Sequence, residues 1–168
     1  SGKLVFFFNK LNGTVLIIDT NDNDTIHDIY VSGTNIGATK FYETSDGVLY
    51  GGDGSSVFSI VKIKDYTVSI IPLPTTNYNI TEIIITKKDA IFVKGGYIFS
   101  LDKDTDALEQ LTSSATTYKY IEDDDGILYF CDYNEIFVSD GENTTILTKP
   151  QNSSPGFFYK DKNNIMTL

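Results

Sequence analysis

The sequence predicts an all-β fold made of one unit of four short strands that is repeated along the chain. Runs rich in Ile, Val, Thr, Tyr and Phe alternate with turns of Gly, Asn, Asp and Ser, which is the pattern of short strands. No window carries a sustained apolar stripe with the helical period, so we expect essentially no helix. A polar or aromatic segment, an Asp/Asn turn and an apolar run follow one another four times, at residues 38–50, 80–93, 117–130 and 156–168.

The spacing of this repeat predicts how the strands are arranged. Its turns recur at intervals of roughly 40 residues, which is the length of a four-stranded β-propeller blade, and residues 1–8 look like the second half of a further copy. We therefore predict a propeller-type array of about four blades in a single domain, residues 1–168. Its units are approximately residues 1–45, 46–88, 89–124 and 125–162, with a partial unit at 163–168. An open β-array and a sandwich of two units are the alternatives.

Individual strands can be placed in the third and fourth units. The predicted strands are residues 90–94, 96–101, 108–113 and 118–122 in the third unit, and 127–131, 135–139, 144–148 and 156–160 in the fourth. The chain begins and ends with strand signatures, so four periods would not close a larger ring. An unclosed array exposes strand edges, which invite pairing with another chain. We therefore expect an incomplete or unusually small propeller, which a second copy or the rest of a longer chain completes.

Two hairpins carry a resemblance to known repeats. Residues 101–112 (LDKDTDALEQLT) resemble the hairpin that joins the middle strands of bacterial-type propeller blades, and residues 138–147 take the same place in the next unit. Residues 135–142 (EIFVSDGE) also resemble the hyalin-like ELWxxDGT repeat, with Phe137 in place of its Trp and Glu142 in place of its final Thr. The resemblance implies a β-propeller fold of the kind found in extracellular arrays, and it implies a function only by analogy.

Composition and charge exclude some classes of protein. The chain has 40% hydrophobic and 13% aromatic residues, which indicates a folded domain, and its formal net charge is −10. Its 13 basic residues are all lysines. A nucleic-acid ligand is excluded, because phosphate binding needs a clustered basic surface. An AT-rich genome accounts for the missing arginine, and no apolar run is long enough to predict insertion into a membrane.

The residues that could support catalysis are few. The single cysteine, Cys131, lies in an apolar run and is expected to be a small buried hydrophobe, and the single histidine is His27. The chain has no Gly-x-Ser-x-Gly elbow, P-loop or His-Glu-x-x-His motif. The glycine-rich residues 51–56 lie between two predicted strands and lack the Lys and helix of a phosphate-binding loop, so we interpret them as a hairpin turn. No cofactor is therefore expected, apart from a candidate calcium ion.

Three acidic segments are candidates for metal binding. Asp102, Asp104 and Asp106 place carboxylates at alternate positions of a tight loop, an arrangement that can converge on Ca²⁺. Ala107 stands where a glycine is expected, and the opposing interpretation is an ordinary polar hairpin tip. Residues 19–24 with Asp28, and the cluster at residues 123–125, are expected to be solvated loops.

Five Asn-x-Ser/Thr sequons are candidates for glycosylation in a secreted eukaryotic chain, and coincidence in an Asn- and Thr-rich sequence is the alternative. They lie at Asn12, Asn23, Asn79, Asn143 and Asn152.

Three functions are compatible with this sequence. The first is a non-catalytic binding or adhesion module of an extracellular or cell-surface protein, whose polar and aromatic loops contact a protein or glycan ligand. The second is a structural scaffold or a fragment of a larger propeller, and the third is a propeller-type glycosidase or lyase. The strands expected to be innermost, residues 4–8, 48–50, 91–93 and 127–130, carry no acids, which weighs against the enzyme.

Overall fold

The computed structural model of the protein describes residues 3–8, 14–19, 23, 25–30, 40–52, 59–74, 79–112, 119–132, 135–148, 159–160 and 166–167. Within these ranges every regular element is a β-strand, which confirms the predicted all-β fold. No helix in this part of the chain is long and apolar enough to cross a membrane. The chain divides into two compact units, Ser1–Ile83 and Ile84–Leu168.

The first unit contains two sheets in which consecutive strands are neighbours. The first sheet has three strands in the order β1-β2-β3, with β1 at Lys3–Phe8, β2 at Thr14–Asp19 and β3 at Thr25–Tyr30. The second has four strands in the order β4-β5-β6-β7, and these are Phe41–Glu43, Leu49–Gly52, Ser59–Lys64 and Thr67–Pro72.

The remaining strands form two more four-stranded sheets and a strand pair. Strands β8 to β11 make one sheet and are Glu82–Ile85, Ile91–Lys94, Ile98–Leu101 and Leu108–Gln110. Strands β12 to β15 make the next and are Tyr120–Glu122, Leu128–Cys131, Glu135–Ser139 and Thr144–Thr148. Strands β16 (Tyr159–Lys160) and β17 (Met166–Thr167) pair with each other.

The predicted strands are present, but the sheets group them differently. Residues 118–122 were expected to be the last strand of the third unit, whereas β12 pairs with β13 and therefore begins the next sheet. The two strands that a tight turn joins pair with each other. The strand before each repeated turn is therefore the first strand of a sheet, and the strand after the turn is the second. The hairpins at residues 101–112 and 138–147 consequently join the third and fourth strands of their sheets, not the middle two. The predicted unit boundaries stay predictions.

The sequence repeat corresponds to one recurring turn between the first and second strands of each four-stranded sheet. Its first residue is Thr44, Thr86 or Asp123, and the N–H of that residue donates to the carbonyl four positions later at 2.9 to 3.0 Å. The side-chain oxygen of the same residue accepts the backbone N–H of that later residue, from Val48, Ala90 or Ile127 at 3.1, 3.2 or 2.9 Å. A Thr or Asp in this place therefore closes the turn twice.

The fourth residue of this turn has a left-handed backbone. It is Gly47 with φ +82°, Asp89 with φ +60° and Gly126 with φ +74°. Glycine adopts this region at no steric cost and Asp tolerates it, whereas other side chains are strained there. Asp89 is thus the equivalent of the two glycines.

Each unit has its own apolar cluster. In the first unit Ile17 packs with Leu49, Val61 and Ile63. In the second, three buried phenylalanines join the sheets β8–β11 and β12–β15: Phe130 stacks on its cross-strand neighbour Phe137 with ring centroids 5.1 Å apart, and Phe92 lies 6.3 Å from Phe130. This cluster fixes the two sheets of the second unit against each other.

The Gly126→Ala substitution tests the recurring turn. An added Cβ would lie 3.0 Å from Lys88 Cγ and 3.2 Å from Lys88 N, in addition to the left-handed backbone strain. We expect a loss of about 2 to 3 kcal/mol in the free energy of unfolding, measured by urea denaturation. Gly47→Ala is the matched control, because its Cβ would meet only Glu43 Oε1 at 3.9 Å, and it should lose about 1 kcal/mol. Equal losses would contradict the close packing at Lys88.

Candidate binding groove

A groove of about 660 Å³ lies in the second unit, beside the face of the sheet β8–β11 and the turn between β14 and β15. The first wall comes from the turn after β8 (Lys88, Asp89, Ala90), the second from residues 140–142, and the third from the loop after β10. Its volume is in the range of small-ligand and peptide sites. A second pocket in the first unit, beside Tyr42 and Ile80, holds about 40 Å³ and has room for little more than a water molecule.

The first wall is held in place by the neighbouring sheet. Lys87 N–H donates to Glu122 Oε1 at 2.6 Å, and Lys87 Nζ lies 3.6 Å from Asp124 Oδ1. Because that ion pair is exposed it contributes little by itself. The hydrogen bond from the Lys87 N–H to Glu122 and the close approach of Gly126 to Lys88 are the stronger constraints on this turn.

The second wall is a capped turn that touches the first. Asp140 Oδ1 accepts the backbone N–H of Glu142 at 3.0 Å and of Asn143 at 2.7 Å. Gly141 has φ +99°, and a Cβ there would overlap the Cβ of Ala90 and lie 3.3 Å from its Cα. Glycine is therefore required at this contact, since it lets the turn rest directly on the start of β9.

Ser100 contributes a buried polar group to the groove. It lies in β10, opposite Phe92 of β9 and Glu109 of β11, and is 9% exposed. Its hydroxyl makes no hydrogen bond to another side chain or to a backbone group in the part of the chain that the structure describes. A buried hydroxyl normally has a partner, so this oxygen is a ready hydrogen-bonding position for a bound molecule.

The charged residues that line the groove are mainly acidic. Of the described residues that line it, six are acidic and two are lysines, and the acidic ones are Asp89, Asp102, Asp104, Glu109, Asp140 and Glu142. Ala90 and Ala107 are small apolar residues of the same lining. The pKa of the Asp140 carboxyl lies below its ordinary value, because the backbone N–H groups of Asn143 and Glu142 stabilise the charged form. Asp140 is therefore an anion at neutral pH.

The loop with the calcium candidates is a self-capped hairpin tip. Asp102 Oδ1 accepts the backbone N–H of Asp104 at 2.9 Å and of Thr105 at 3.0 Å, and Asp106 has φ +59°. Within the described ranges no three His, Cys, Asp or Glu side chains are grouped so that they could hold a metal ion. Asp102 and Asp104 both line the acidic groove, so two of the three calcium candidates are also residues of the groove. Calcium binding here stays a prediction.

The structure describes one of the other two acidic segments and little of the second. Residues 19–24 fall largely outside the described residues. The cluster at residues 123–125 lies within the β12–β13 hairpin, and Asp123 has a structural role there. Its Oδ1 accepts the N–H of Asp125 and of Ile127 at 2.9 Å, and Oδ2 accepts the Tyr129 hydroxyl at 3.2 Å. Burial and the Asp123 charge raise the pKa of Tyr129.

Cys131 and His27 have separate packing roles. Cys131 is 1% exposed in β13, opposite Ile136, which confirms the expected buried hydrophobe. His27, in β3, stacks on the Tyr66 ring at a centroid distance of 3.7 Å. Gly51 and Gly52 end strand β5 and do not form the expected turn, and residues 53–58 lie outside the described residues.

Three sequons are exposed in the described part of the chain, at Asn23, Asn79 and Asn143. Asn12 and Asn152 lie outside it. Asn143 follows the capped turn of the groove, so a glycan there would lie beside the groove. Glycosylation itself stays a prediction.

Three of the four strands expected to be innermost are not at an edge of their sheets, and the fourth, β1, is the first strand of its sheet. Strands β5, β9 and β13 are the second strands, and an edge strand precedes each of them. Those edge strands carry glutamates, namely Glu43, Glu82 and Glu122. The absence of acids from the innermost strands, and its weight against an enzyme, stays a prediction.

The sequence did not point to the groove itself. Ser100, Glu109 and Glu142 are ordinary residues of a strand or a turn, and their meeting depends on how the β14–β15 turn packs on β9. The Asp140-Gly141 pair was visible as a turn signal. Its contact with Ala90 is made between two sheets and has no local sequence signature.

Comparison with known proteins assigns the fold. No family model and no curated protein matches this sequence. Among solved structures, the chain is similar to virginiamycin B lyase from Staphylococcus aureus (14% identity, TM-score 0.60) and to a streptogramin B lyase (16% identity, TM-score 0.58). It is also similar to the extracellular domain assigned to a hybrid two-component system of B. thetaiotaomicron, with 14% identity and a TM-score of 0.56.

These similarities extend over nearly all of this chain and over a smaller part of the others. The chain is covered to 98% by each lyase and to 99% by the extracellular domain, and it spans 58%, 57% and 24% of their lengths. Together with the four-stranded sheets, they give the protein a β-propeller-type fold. At this identity they carry the fold alone, and the ELWxxDGT resemblance of residues 135–142 stays a prediction.

Replacing the capping carboxylate tests the wall of the groove. Asp140→Ala removes the acceptor of two backbone N–H groups and should lower Tm by a few degrees, whereas Asp140→Asn keeps an acceptor oxygen and should lower it less. The folded-state pKa of Asp140 is below the unfolded one, so its charge stabilises the fold above the unfolded pKa. The stability gap between wild type and Asp140→Asn should shrink as the pH falls below about 4. A gap that is constant with pH would contradict this.

Calcium titration tests the predicted metal site. Asp102 is engaged as a loop cap, so we expect millimolar Ca²⁺ to leave Tm and the mass in size-exclusion chromatography with light scattering unchanged. A rise of several degrees that disappears in Asp106→Asn would establish the calcium site instead. Asp106 suits this test because it lies outside the groove lining, and Asn also tolerates its left-handed backbone.

Proposed function

We propose that this chain is a non-catalytic binding module that takes a protein or glycan ligand in the acidic groove of its second unit. The observation that carries the proposal is the buried Ser100 hydroxyl, which has no protein hydrogen-bond partner in the described structure and lies in a groove of about 660 Å³. A ligand in the groove would satisfy this hydroxyl and displace water from the groove.

The groove is also preorganised, which favours binding over a structural role. Its turns are closed by side-chain oxygens, at Thr86 for the first wall and Asp140 for the second. Gly141 then fixes the distance between them by its contact with Ala90. A site whose walls are already in place loses less conformational entropy when it binds.

The alternative is an enzyme of the lyase or glycosidase type, and two of the similar structures are lyases. Such an enzyme needs a group that gives or takes a proton near neutral pH. Asp140 has a lowered pKa and is a poor proton donor. His27 is stacked on Tyr66 in the first unit. The groove as described suits charge pairing better than acid–base catalysis.

A scaffold or a fragment of a larger propeller is the second alternative, and strand β15 favours it. This strand is last in the order of its sheet, and Ile146 and Leu147 are 54% and 45% exposed. Exposed edge strands with apolar residues pair readily with another chain. A chain that pairs with β15 is compatible with a ligand in the groove, because the groove residues 140–142 precede this strand and are not part of it.

An extracellular or cell-surface location is part of the proposal. It is supported by similarity to extracellular domains assigned to two-component systems of B. thetaiotaomicron. The exposed sequon at Asn143 is compatible with it.

A ligand screen with groove variants tests the proposed function. The wild-type chain is screened against a displayed peptide library and a glycan array, and each ligand is measured again with the double variant Asp104→Asn/Glu142→Gln. The matched control is Glu43→Gln/Asp65→Asn, which removes the same charge from exposed positions of the first unit. We expect ligands whose affinity falls about tenfold in the groove variant and not in the control. If every ligand binds both variants equally, the groove is not the binding site.

A further inference from the structure

We infer that the ligand of the acidic groove is a polypeptide segment that inserts a lysine or arginine side chain beside Ser100. This inference rests on the proposed function and adds the chemical class of the ligand.

The charge of the groove selects a cation. Among the described lining residues six are acidic and two are lysines, and the chain as a whole has a net charge of −10. Complementary charge steers a partner to the site and disfavours neutral or anionic competitors. Asp140 keeps its charge at neutral pH because two backbone N–H groups stabilise its carboxylate.

The polar groups that surround the groove favour a ligand that donates hydrogen bonds. Ionised carboxylates only accept hydrogen bonds, and the unpartnered Ser100 hydroxyl is able to accept one as well. An ammonium brings three N–H donors and a guanidinium brings five, and neither has an acceptor. A lysine or arginine head group therefore matches this set of groups better than a sugar hydroxyl does.

The apolar surface of the groove distinguishes a side chain from a bare metal ion. Ala90 and Ala107 line the groove, and they offer apolar contacts to the methylene stem of a lysine or arginine. A divalent metal would need several converging carboxylates, and no such group of three is present among the described residues.

The size of the groove favours a peptide over a free amine. About 660 Å³ is much more space than one alkylammonium group fills. The remaining volume suits the backbone and the neighbouring residues of an extended segment.

The test measures binding of a short basic peptide by fluorescence anisotropy. The probe is a capped, fluorescein-labelled pentapeptide, Gly-Lys-Ala-Lys-Gly, and its neutral control has both lysines acetylated. We expect the acetylated peptide to bind at least about tenfold more weakly, and binding of the basic peptide to weaken as salt rises. Equal binding of the two peptides would overturn the inference.

Variants of the chain locate the binding. Ser100→Ala and Asp104→Asn/Glu142→Gln should each weaken binding of the basic peptide by about tenfold, whereas Glu43→Gln/Asp65→Asn should leave it unchanged. An equal effect of the groove and control variants would overturn the inference, because the attraction would then come from the overall charge. Spermidine as competitor separates the sources of the cation: stronger binding of spermidine than of the peptide would assign the groove to a free amine and also overturn it.

Failure of this inference and failure of the proposed function give different results. If the basic peptide does not bind, but a ligand from the peptide or glycan screen loses affinity in the groove variants, the cation inference is wrong and the binding module stands. If no ligand responds to the groove variants, both are wrong.

Discussion

The structure depends on one local constraint, the closure of the turn between the first and second strands of each four-stranded sheet. A Thr or Asp side chain accepts the backbone N–H four residues later, and a left-handed Gly or Asp reverses the chain. This geometry sets the register of the first strand pair, and register decides which side chains share a face. In the sheet β8–β11 the pairing places Ser100 between Phe92 and Glu109. The polar group of the groove is thus a consequence of strand pairing that begins at the Thr86 turn.

A second constraint acts between sheets and produces the groove. The phenylalanine cluster packs the sheets β8–β11 and β12–β15 of the second unit together, and the absence of a side chain on Gly141 allows its turn to rest on Ala90. Four acidic residues of the groove are exposed and therefore accessible to a ligand, and they are Asp102, Asp104, Glu109 and Glu142. The same hydrogen bonds that cap the Asp140 turn also hold its carboxyl group in the charged form, so the stability of the turn and the charge of the site share one cause.

The sequence was sufficient for the parts of the fold that depend on local chemistry. Strands Glu135–Ser139 and Thr144–Thr148 have the predicted bounds, because alternating β-branched and aromatic residues between turn signals are a local pattern. The sequence did not show which strand begins each sheet, since a repeat looks the same wherever it is divided into units. The site was missed for a different reason. The Gly141–Ala90 contact joins residues far apart in sequence, and a lone serine such as Ser100 in an apolar strand carries no signal of its surroundings. Asp102 and Asp104 were found as acidic candidates, but their assignment to a metal came from spacing alone.

The most direct test of this account is a backbone NMR titration of the ¹⁵N-labelled chain with the basic pentapeptide. The account predicts chemical-shift changes at the amides of Asp89, Ala90, Ser100, Gly141 and Glu142, with the amides of the first unit unchanged. Changes that are spread over exposed acidic residues of both units, or that leave Ser100 and Gly141 unaffected, would contradict a preformed binding groove at this position.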